Sequence, residues 1–387
     1  MKKFSKILSL LLVLAMVLSL AACGTPANNT PAGNDNNANV EPGKVEPDPN
    51  YPASGVLTTD IAYAAGGTTD RVCRQLSAQI AELLKCASNC QNVTGSSASV
   101  AGVTVLEEGK KGDVLLGVLN PAPSSWYTLG FTDESHWSDW YTFVAVQSTF
   151  ALMVKGDSKY NTAQDLFDDI KANPGTIKCG TSGLGTAVHL SCEMLLAAIG
   201  GEVITVPYSG GSESAKNVIA GEVTFMWASY SDVIDYLKSG DLKCIGTVDQ
   251  NPITMTKSDG TSYEMPSLYK DYPDAAKSAA ALGYYGIAVP RYVDDAQVLA
   301  LKNAFEKVVA TDEFKKFAQD CGLKPVCYTG EDADKLMSMA ESLYAWAIYD
   351  NGLAAQGRSP ADIKIPRIAD YSWDKIDFTN IKAWPAQ

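Results

Sequence analysis

Four short segments rich in glycine, serine and threonine carry most of the chemistry that this 387-residue chain offers. The first is Ile61-Ala62-Tyr63-Ala64-Ala65-Gly66-Gly67-Thr68-Thr69-Asp70-Arg71. Its glycines permit a tight turn with bare backbone amides. Thr68, Thr69 and Asp70 can cap a helix start, and free N–H groups at such a start form an anion site. The second is Lys178-Cys179-Gly180-Thr181-Ser182-Gly183-Leu184-Gly185-Thr186-Ala187-Val188-His189. It lacks both the GxGxxG register of a dinucleotide site and the Gly-Lys-Ser/Thr ending of a P-loop. Ser182 is not in a Gly-x-Ser-x-Gly elbow. His189, one turn into a helix, reads as a structural hydrogen-bonding group rather than a catalyst. The third is Val206-Pro207-Tyr208-Ser209-Gly210-Gly211-Ser212, in which Tyr208 either donates into a cleft or packs. The fourth, Phe225-Met226-Trp227-Ala228-Ser229-Tyr230-Ser231, leaves a strand through small polar residues. One such turn is only a cap. Several together describe a cleft floor of amides and hydroxyls suited to planar anions.

Catalysis has little to work with. There are two histidines, His136 and His189, and no Ser-His elbow. No cysteine pair has CxxC spacing, so neither a metal nor another cofactor is expected. No arginine lies in the later three segments, so recognition of a charged ligand would lean on backbone amides.

The elements that must position these turns alternate along the chain. Strands are expected over 56–62, 113–118, 142–146, 152–154, 176–179, 202–206, 223–227, 242–247 and 287–289. Helices are expected over 69–84, from a cap at Asn161 to 172, and over 186–199, 212–220, 231–238, 294–310, 312–321 and 331–349. Such alternation predicts an α/β fold with mostly parallel sheets. Ligands in such sheets lie beyond the carboxyl ends of the strands. The length suits two lobes: 51–155 with 285–350 for the first and 156–284 for the second. Residues 351–387 read as a tail packed on one lobe, and the aromatic stretch 126–141 as packing within the first.

The four turns together resemble the substrate-binding proteins of tripartite tricarboxylate transporters, the TctC or Bug family. The matching residues are Ala64-Ala65-Gly66-Gly67-Thr68-Thr69-Asp70, with Arg71 and Arg74 following on the helix. In the second lobe they are Asn173-Pro174-Gly175, Gly180-Thr181-Ser182-Gly183-Leu184-Gly185-Thr186, His189-Leu190 and Val206-Pro207-Tyr208-Ser209-Gly210. The similarity spans about residues 55–345. It departs at Asn92-Val93-Thr94-Gly95-Ser96, which matches the family's Asn-Pro-Gly-Ala segment weakly, and at 251–266, which replaces a family loop. The resemblance implies a two-lobed binding protein of the periplasmic type II kind, closing on a carboxylated solute. It implies ligand contacts from Gly66, Gly67, Thr68, Asp70, Asn120 and Ala122 in the first lobe. Thr181, Ser182, Gly185, Thr186 and His189 would face them from the second, with Tyr208 and Ser229 flanking. It also implies a large and a small membrane subunit as partners. Transport of a small mono-, di- or tricarboxylate is the first reading. A ligand-sensing accessory to a membrane receptor is the second, and an extracytoplasmic enzyme the third and weakest.

The N-terminus fixes the expected compartment. Lys2, Lys3 and Lys6 precede an apolar stretch over 7–20, then Leu20-Ala21-Ala22-Cys23-Gly24. This reads as a signal peptide over 1–22, too short in its apolar part for the ~20 residues of a spanning helix. Its end resembles the lipobox of bacterial lipoproteins, which implies lipidation of Cys23 and anchoring outside the cytoplasmic membrane. Residues 24–50, rich in Asn, Pro and Gly, read as a flexible tether. With Lys2, Lys3 and Lys6 removed, 31 basic residues become 28 against 44 acidic, a mature charge of about −16. That balance argues against nucleic acid as a partner; a monomer is expected. Eight cysteines follow Cys23: Cys73, Cys86, Cys90, Cys179, Cys192, Cys244, Cys321 and Cys327. An even number outside the cytoplasm permits disulfides, and Cys86/Cys90 and Cys321/Cys327 are the local pairs to try first. Free buried thiols are the alternative.

Overall fold

The computed structural model describes residues 45–120, 122–133, 136–279 and 283–385. The signal segment, Cys23 and the tether up to residue 44 lie outside the described residues.

The chain opens with β1 (Val56–Ile61), α1 (Thr68–Leu84), β2 (Ala87–Asn92), α2 (Ser99–Glu108), β3 (Val114–Asn120) and β4 (Trp140–Ser148). After the single residue Thr149 it continues as β5 (Phe150–Lys155), α3 (Ala163–Ala172), β6 (Lys178–Thr181), α4 (Ala187–Ile199) and β7 (Ile204–Pro207). Next come α5 (Gly211–Ala220), β8 (Phe225–Ser229), α6 (Ile234–Ser239) and β9 (Leu242–Thr247). A hairpin of β10 (Ile253–Thr256) and β11 (Ser262–Met265) leads through α7 (Pro273–Ala279) to β12 (Gly283–Pro290). The last elements are α8 (Asp295–Ala310), α9 (Asp312–Asp320), β13 (Lys324–Tyr328) and α10 (Gly330–Asp350).

Two sheets result. The first has the order β13-β4-β12-β3-β1-β2 and the second β7-β6-β8-β5-β9. Pairing is parallel where strand, helix and strand follow one another, at β1–β2, β1–β3, β6–β7 and β6–β8. It is antiparallel where strands cross between the sheets, as at β12–β3 and β5–β8. The sheets are therefore mixed. The crossover also comes earlier than the sequence pattern indicates. β5, expected to close the first lobe at 155, pairs with β8 and β9 in the second sheet. Both strands are buried almost throughout, and the polar Gln147-Ser148-Thr149 between their apolar runs marks a break in the strand but not the change of sheet.

Local chemistry explains the helix that precedes the second turn. α3 begins at Thr162 rather than Asn161. Thr162 Oγ1 accepts from the Asp165 amide at 3.2 Å, and Asp165 Oδ2 accepts from the Thr162 amide at 2.9 Å. This reciprocal box satisfies two donors that would otherwise lack partners.

The aromatic stretch packs the first lobe: Trp126 and Trp140 are both buried and meet edge-on at 6.4 Å. Arg291, just after β12, is buried with Asp334 of α10. Its Nη2 lies 2.6 Å from Asp334 Oδ1 and donates to the Trp140 carbonyl at 2.8 Å. The tail lies on the same lobe. Trp384 meets Tyr141 at 4.9 Å and Phe143 at 5.2 Å, and the Tyr371 hydroxyl bonds Ser338 Oγ at 2.8 Å.

The eight described cysteines are free. The pairs to try first are not bonded. Cys86 does close the end of α1, its amide donating to the Ala81 carbonyl at 3.0 Å, but Cys90 lies within β2. Extended backbone separates residues four apart by roughly 13 Å, beyond the ~7 Å limit for a disulfide. The thiols of Cys179 and Cys192, buried between β6 and α4, do approach each other at 3.7 Å.

Candidate functional site

The turns after β1, β7 and β8 meet between the two sheets. Tyr63, Ala64, Gly67, Thr68 and Thr69 line one wall of a narrow cleft, partly open to solvent. Ser182, Val188, Gly210, Gly211 and Asp232 line the other, with Tyr285 of β12 at the floor.

Two helices start at this cleft, one from each lobe. α1 is preceded by Gly67 and α5 by Gly210, and neither residue has a side chain to cap the helix. By contrast α3, α4, α8 and α9 are capped by Thr162, Thr186, Asp294 and Thr311. The first amide of α1, that of Thr68, is taken by Asp232 of the other lobe at 2.7 Å, and the amides that follow it, like those at the start of α5, have no capping side chain in their own segment. Each start also carries about half a positive charge from its aligned peptide dipoles.

Gly210 lets the lobes approach, and Gly211 leaves room for Asp232 of the same wall. A Cβ on Gly210 would stand 3.3 Å from the Ala64 amide nitrogen, and one on Gly211 2.2 Å from Asp232 Oδ2. The lobes are joined across the cleft. The Ala64 amide donates to the Ser209 carbonyl at 3.3 Å, and Ser212 Oγ to the Ala65 carbonyl at 3.2 Å. The Thr68 amide donates to Asp232 Oδ1 at 2.7 Å, and the Thr68 and Ser231 hydroxyls lie 2.7 Å apart. Arg71, a turn further along α1, donates to the Ser231 carbonyl.

The electrostatics centre on Asp232. Burial pushes its carboxyl above the usual range, while the Thr68 hydrogen bonds and then the Arg71 charge pull it down. Burial also raises the Tyr63 and Tyr285 hydroxyls, and the Asp232 charge raises both further. The Tyr63 hydroxyl is buried without a hydrogen-bond partner. That of Tyr285 is bonded to Ser229 Oγ.

Of the residues singled out in the sequence, Gly67, Thr68 and Ser182 line the cleft. Gly66 makes the turn at φ +84°, and its amide donates to Asp70 Oδ2 at 3.0 Å. Asp70 faces away from the cleft. Its other oxygen accepts from Arg74 Nε and Asn92 Nδ2, both at 2.8 Å, so it braces the turn. Asn120 ends β3 opposite Tyr284. Its side chain and that of Ala122 lie outside the described atoms.

The second-lobe loop is held by its own residues. Thr186 Oγ1 donates to the Gly183 carbonyl at 2.9 Å and accepts from the His189 amide at 3.2 Å. The Gly185 amide donates to His189 Nδ1 at 2.9 Å. With Nδ1 accepting, Nε2 carries the proton and faces Glu193 Oε1 at 3.4 Å. That contact is the leading cause holding the Glu193 carboxyl below its ordinary range. Thr181 is buried at the end of β6 with Oγ1 unpartnered, and Tyr208 packs beside Gly180; neither is on the cleft wall. Ser229 reaches the site only through Tyr285.

Sequence reasoning missed Tyr63, Ala64, Gly210, Gly211, Asp232 and Tyr285 as lining residues. All but Asp232 and Tyr285 lie inside the turns it picked out, and Asp232 is one residue beyond the fourth. Tyr285 sits in a strand with every residue buried, which gives no signal. Among the described residues no three His, Cys, Asp or Glu side chains gather as a metal site would require. Nor is any described helix long and apolar enough to cross a membrane.

Comparison with known proteins places this geometry in context. The family model described as the tripartite tricarboxylate transporter family receptor matches residues 72–347. The UPF0065 protein in the gbd 5' region of Cupriavidus necator is 25% identical over 274 residues, 68% of this chain and 78% of the relative. An R. palustris protein solved with adipate has a TM-score of 0.66 at 18% identity, over 79% of this chain and 99% of its own. MatC from Rhodopseudomonas palustris, solved with bound malate, has a TM-score of 0.62 at 17% identity, over 76% and 97%.

Proposed function

Since the chain belongs to the receptor family of tripartite tricarboxylate transporters, we propose that its cleft captures a small carboxylate outside the cytoplasmic membrane and presents it to the transporter's membrane subunits. The observation that carries this reading is the pair of helix starts at Gly67 and Gly210. They come from opposite sides of one cleft, and neither has a cap of its own. A carboxylate between them would accept from amides of both and so hold the lobes together. Each charge-assisted bond of this kind contributes about 1.5–3 kcal/mol, and loses least to reorganisation when the amides are already fixed in helices.

The two sheets would be the two lobes of a receptor that closes on its ligand. Thr149, between β4 and β5, would be one hinge point of the crossing strands. Cys23 would carry the lipid anchor after removal of 1–22, and the tether would hold the lobes within reach of the membrane. Anchoring raises the effective concentration of the receptor at its membrane partner.

Isothermal calorimetry of the protein from residue 24 onward, against mono-, di- and tricarboxylates, tests the ligand class. One-to-one binding of at least one carboxylate is expected. Binding of a neutral sugar with no response to any carboxylate would overturn the reading.

A further inference from the structure

We propose that Cys179 and Cys192 are joined by a disulfide in the exported protein, and that this bond clamps the two flanks of the second-lobe loop. The proposal rests on the extracytoplasmic location given above and is independent of which ligand binds.

The two sulfurs lie 3.7 Å apart and both residues are buried. Among the described residues they are the one hydrogen-bonded pair of thiols. Each is held by regular structure. Cys179 lies in β6, paired with Thr205 of β7 on one side and Phe225 of β8 on the other. Cys192 lies in α4, where the neighbouring Ser191 Oγ accepts from Trp227 Nε1 of β8 at 3.0 Å. A disulfide needs its sulfurs at about 2.05 Å, and the remaining gap is within the reach of side-chain rotation.

As thiols the pair gains little, since S–H is a weak donor and sulfur a weak acceptor. The hydrogen bond to Cys179 and then burial raise the Cys192 thiol well above its ordinary range, so it stays protonated in the folded protein. Exchange requires a thiolate, so oxidation belongs to the folding chain after export, before α4 seals onto β6. The oxidant is an external disulfide, RS–SR. One cysteine thiolate attacks it and releases RS⁻, and the second cysteine sulfur then displaces the other RS⁻. Two S–H bonds are lost, one S–S bond forms, and the two electrons and two protons leave as two RSH.

The bond acts on the segment that brings Ser182 to the cleft wall. Residues 180–186 run from the end of β6 to the cap of α4. Their own fastenings are the hydrogen bonds of Thr186 and His189. A covalent tie between the flanks would hold both ends of that loop.

The full chain, expressed with its own signal, extracted from membranes and alkylated with N-ethylmaleimide at lysis, tests this. Trypsin releases residues 179–216 as one peptide that holds these two cysteines and no other. It should be unalkylated and two hydrogens lighter than the dithiol, and cleavage after Leu184 or Leu190 should leave its pieces linked. Maleimide on both cysteines of a processed chain, or either one linked elsewhere, would overturn the proposal. A chain that keeps residues 1–22 with both cysteines alkylated overturns the location, and this inference with it. Hydrogen exchange over 180–186 should be severalfold faster in protein refolded with dithiothreitol than without. Cys179→Ala/Cys192→Ala should exchange at the faster rate in both conditions. Equal rates in the two forms of the parent would overturn the clamp.

Discussion

The amide of Thr68, the first residue of α1, donates to Asp232 Oδ1 at 2.7 Å, so one lobe supplies the cap for a helix of the other. The bond couples closure to the protonation of one carboxyl. Burial raises Asp232 above its unfolded value, against the pull of Thr68 and Arg71. A carboxyl raised in this way contributes stability that is fully present below its unfolded pKa of about 3.9. That contribution is lost as pH rises through the folded value. Asn at this position stays neutral throughout. The stability of Asp232→Asn relative to the parent should therefore increase from about pH 4 to about pH 7. Urea midpoints of both proteins across that range measure it, and a constant difference would contradict the coupling.

Gly211 tests the close packing of α5 against Asp232 within the second lobe. In a helix, alanine is better than glycine by roughly 0.5–1 kcal/mol. Here the added Cβ would meet Asp232 Oδ2 at 2.2 Å, an overlap of a kind that costs about 1–3 kcal/mol. Gly211→Ala should lower the urea midpoint, by up to about 2 kcal/mol, and weaken carboxylate binding as well, because Gly211 and Asp232 share one lobe and the overlap is present whether the cleft is open or closed. Adding Asp232→Ser should restore part of the loss, as a double-mutant cycle would show.

His189 is expected to matter through the loop and not through contact with ligand. Its Nδ1 accepts from the Gly185 amide at 2.9 Å, in a region where His189 is buried. His189→Leu removes the acceptor and leaves a buried donor unmet, at a cost of about 1–3 kcal/mol. Hydrogen exchange at Gly185 should accelerate well before exchange in the sheets does. Unchanged protection at Gly185 would rule out this role.

The buried pair of Arg291 and Asp334 anchors α10 against β4 and β12, remote from the cleft. Asp334→Ala leaves a buried guanidinium with a carbonyl as its main partner and should cost about 3–5 kcal/mol. Replacing both residues by apolar ones of similar volume should cost less than the single change. Equilibrium urea unfolding distinguishes the two outcomes, and carboxylate affinity at low urea should be the same in all three proteins.

Much of the fold was legible because its signals are local. The Gly-Gly at 66–67, the Thr186 cap and the Gly200 stop mark helix ends by chemistry confined to a few residues. β2 was not legible: Ala87-Ser88-Asn89-Cys90-Gln91-Asn92 is an exposed edge strand without alternation, held by its pairing with β1 and by side-chain bonds from Gln91 and Asn92 to Asp60 and Asp70. The break between β4 and β5 was visible, but both strands are equally apolar, so nothing local showed that the chain changes sheet at Thr149 and β5 was placed with the first lobe. Within the site, the turns at 64–68 and 208–212 were visible, but their direction was not. Asp70 and His189 carry the residue types of a binding site, yet each turns back to hold its own loop. Asp232 and Tyr285 enter the cleft only through the meeting of two sheets, a long-range event that no local pattern encodes.

The claim that a carboxylate bridges the two helix starts at the cleft is tested most directly by a crystal structure of the protein with its tightest-binding carboxylate. Carboxylate oxygens should lie about 2.7–3.1 Å from amides at the start of α1, near Gly67 and Thr69, and at the start of α5, near Gly210 and Gly211. A ligand held elsewhere, or one whose carboxylate points to solvent while another group meets those amides, would contradict it.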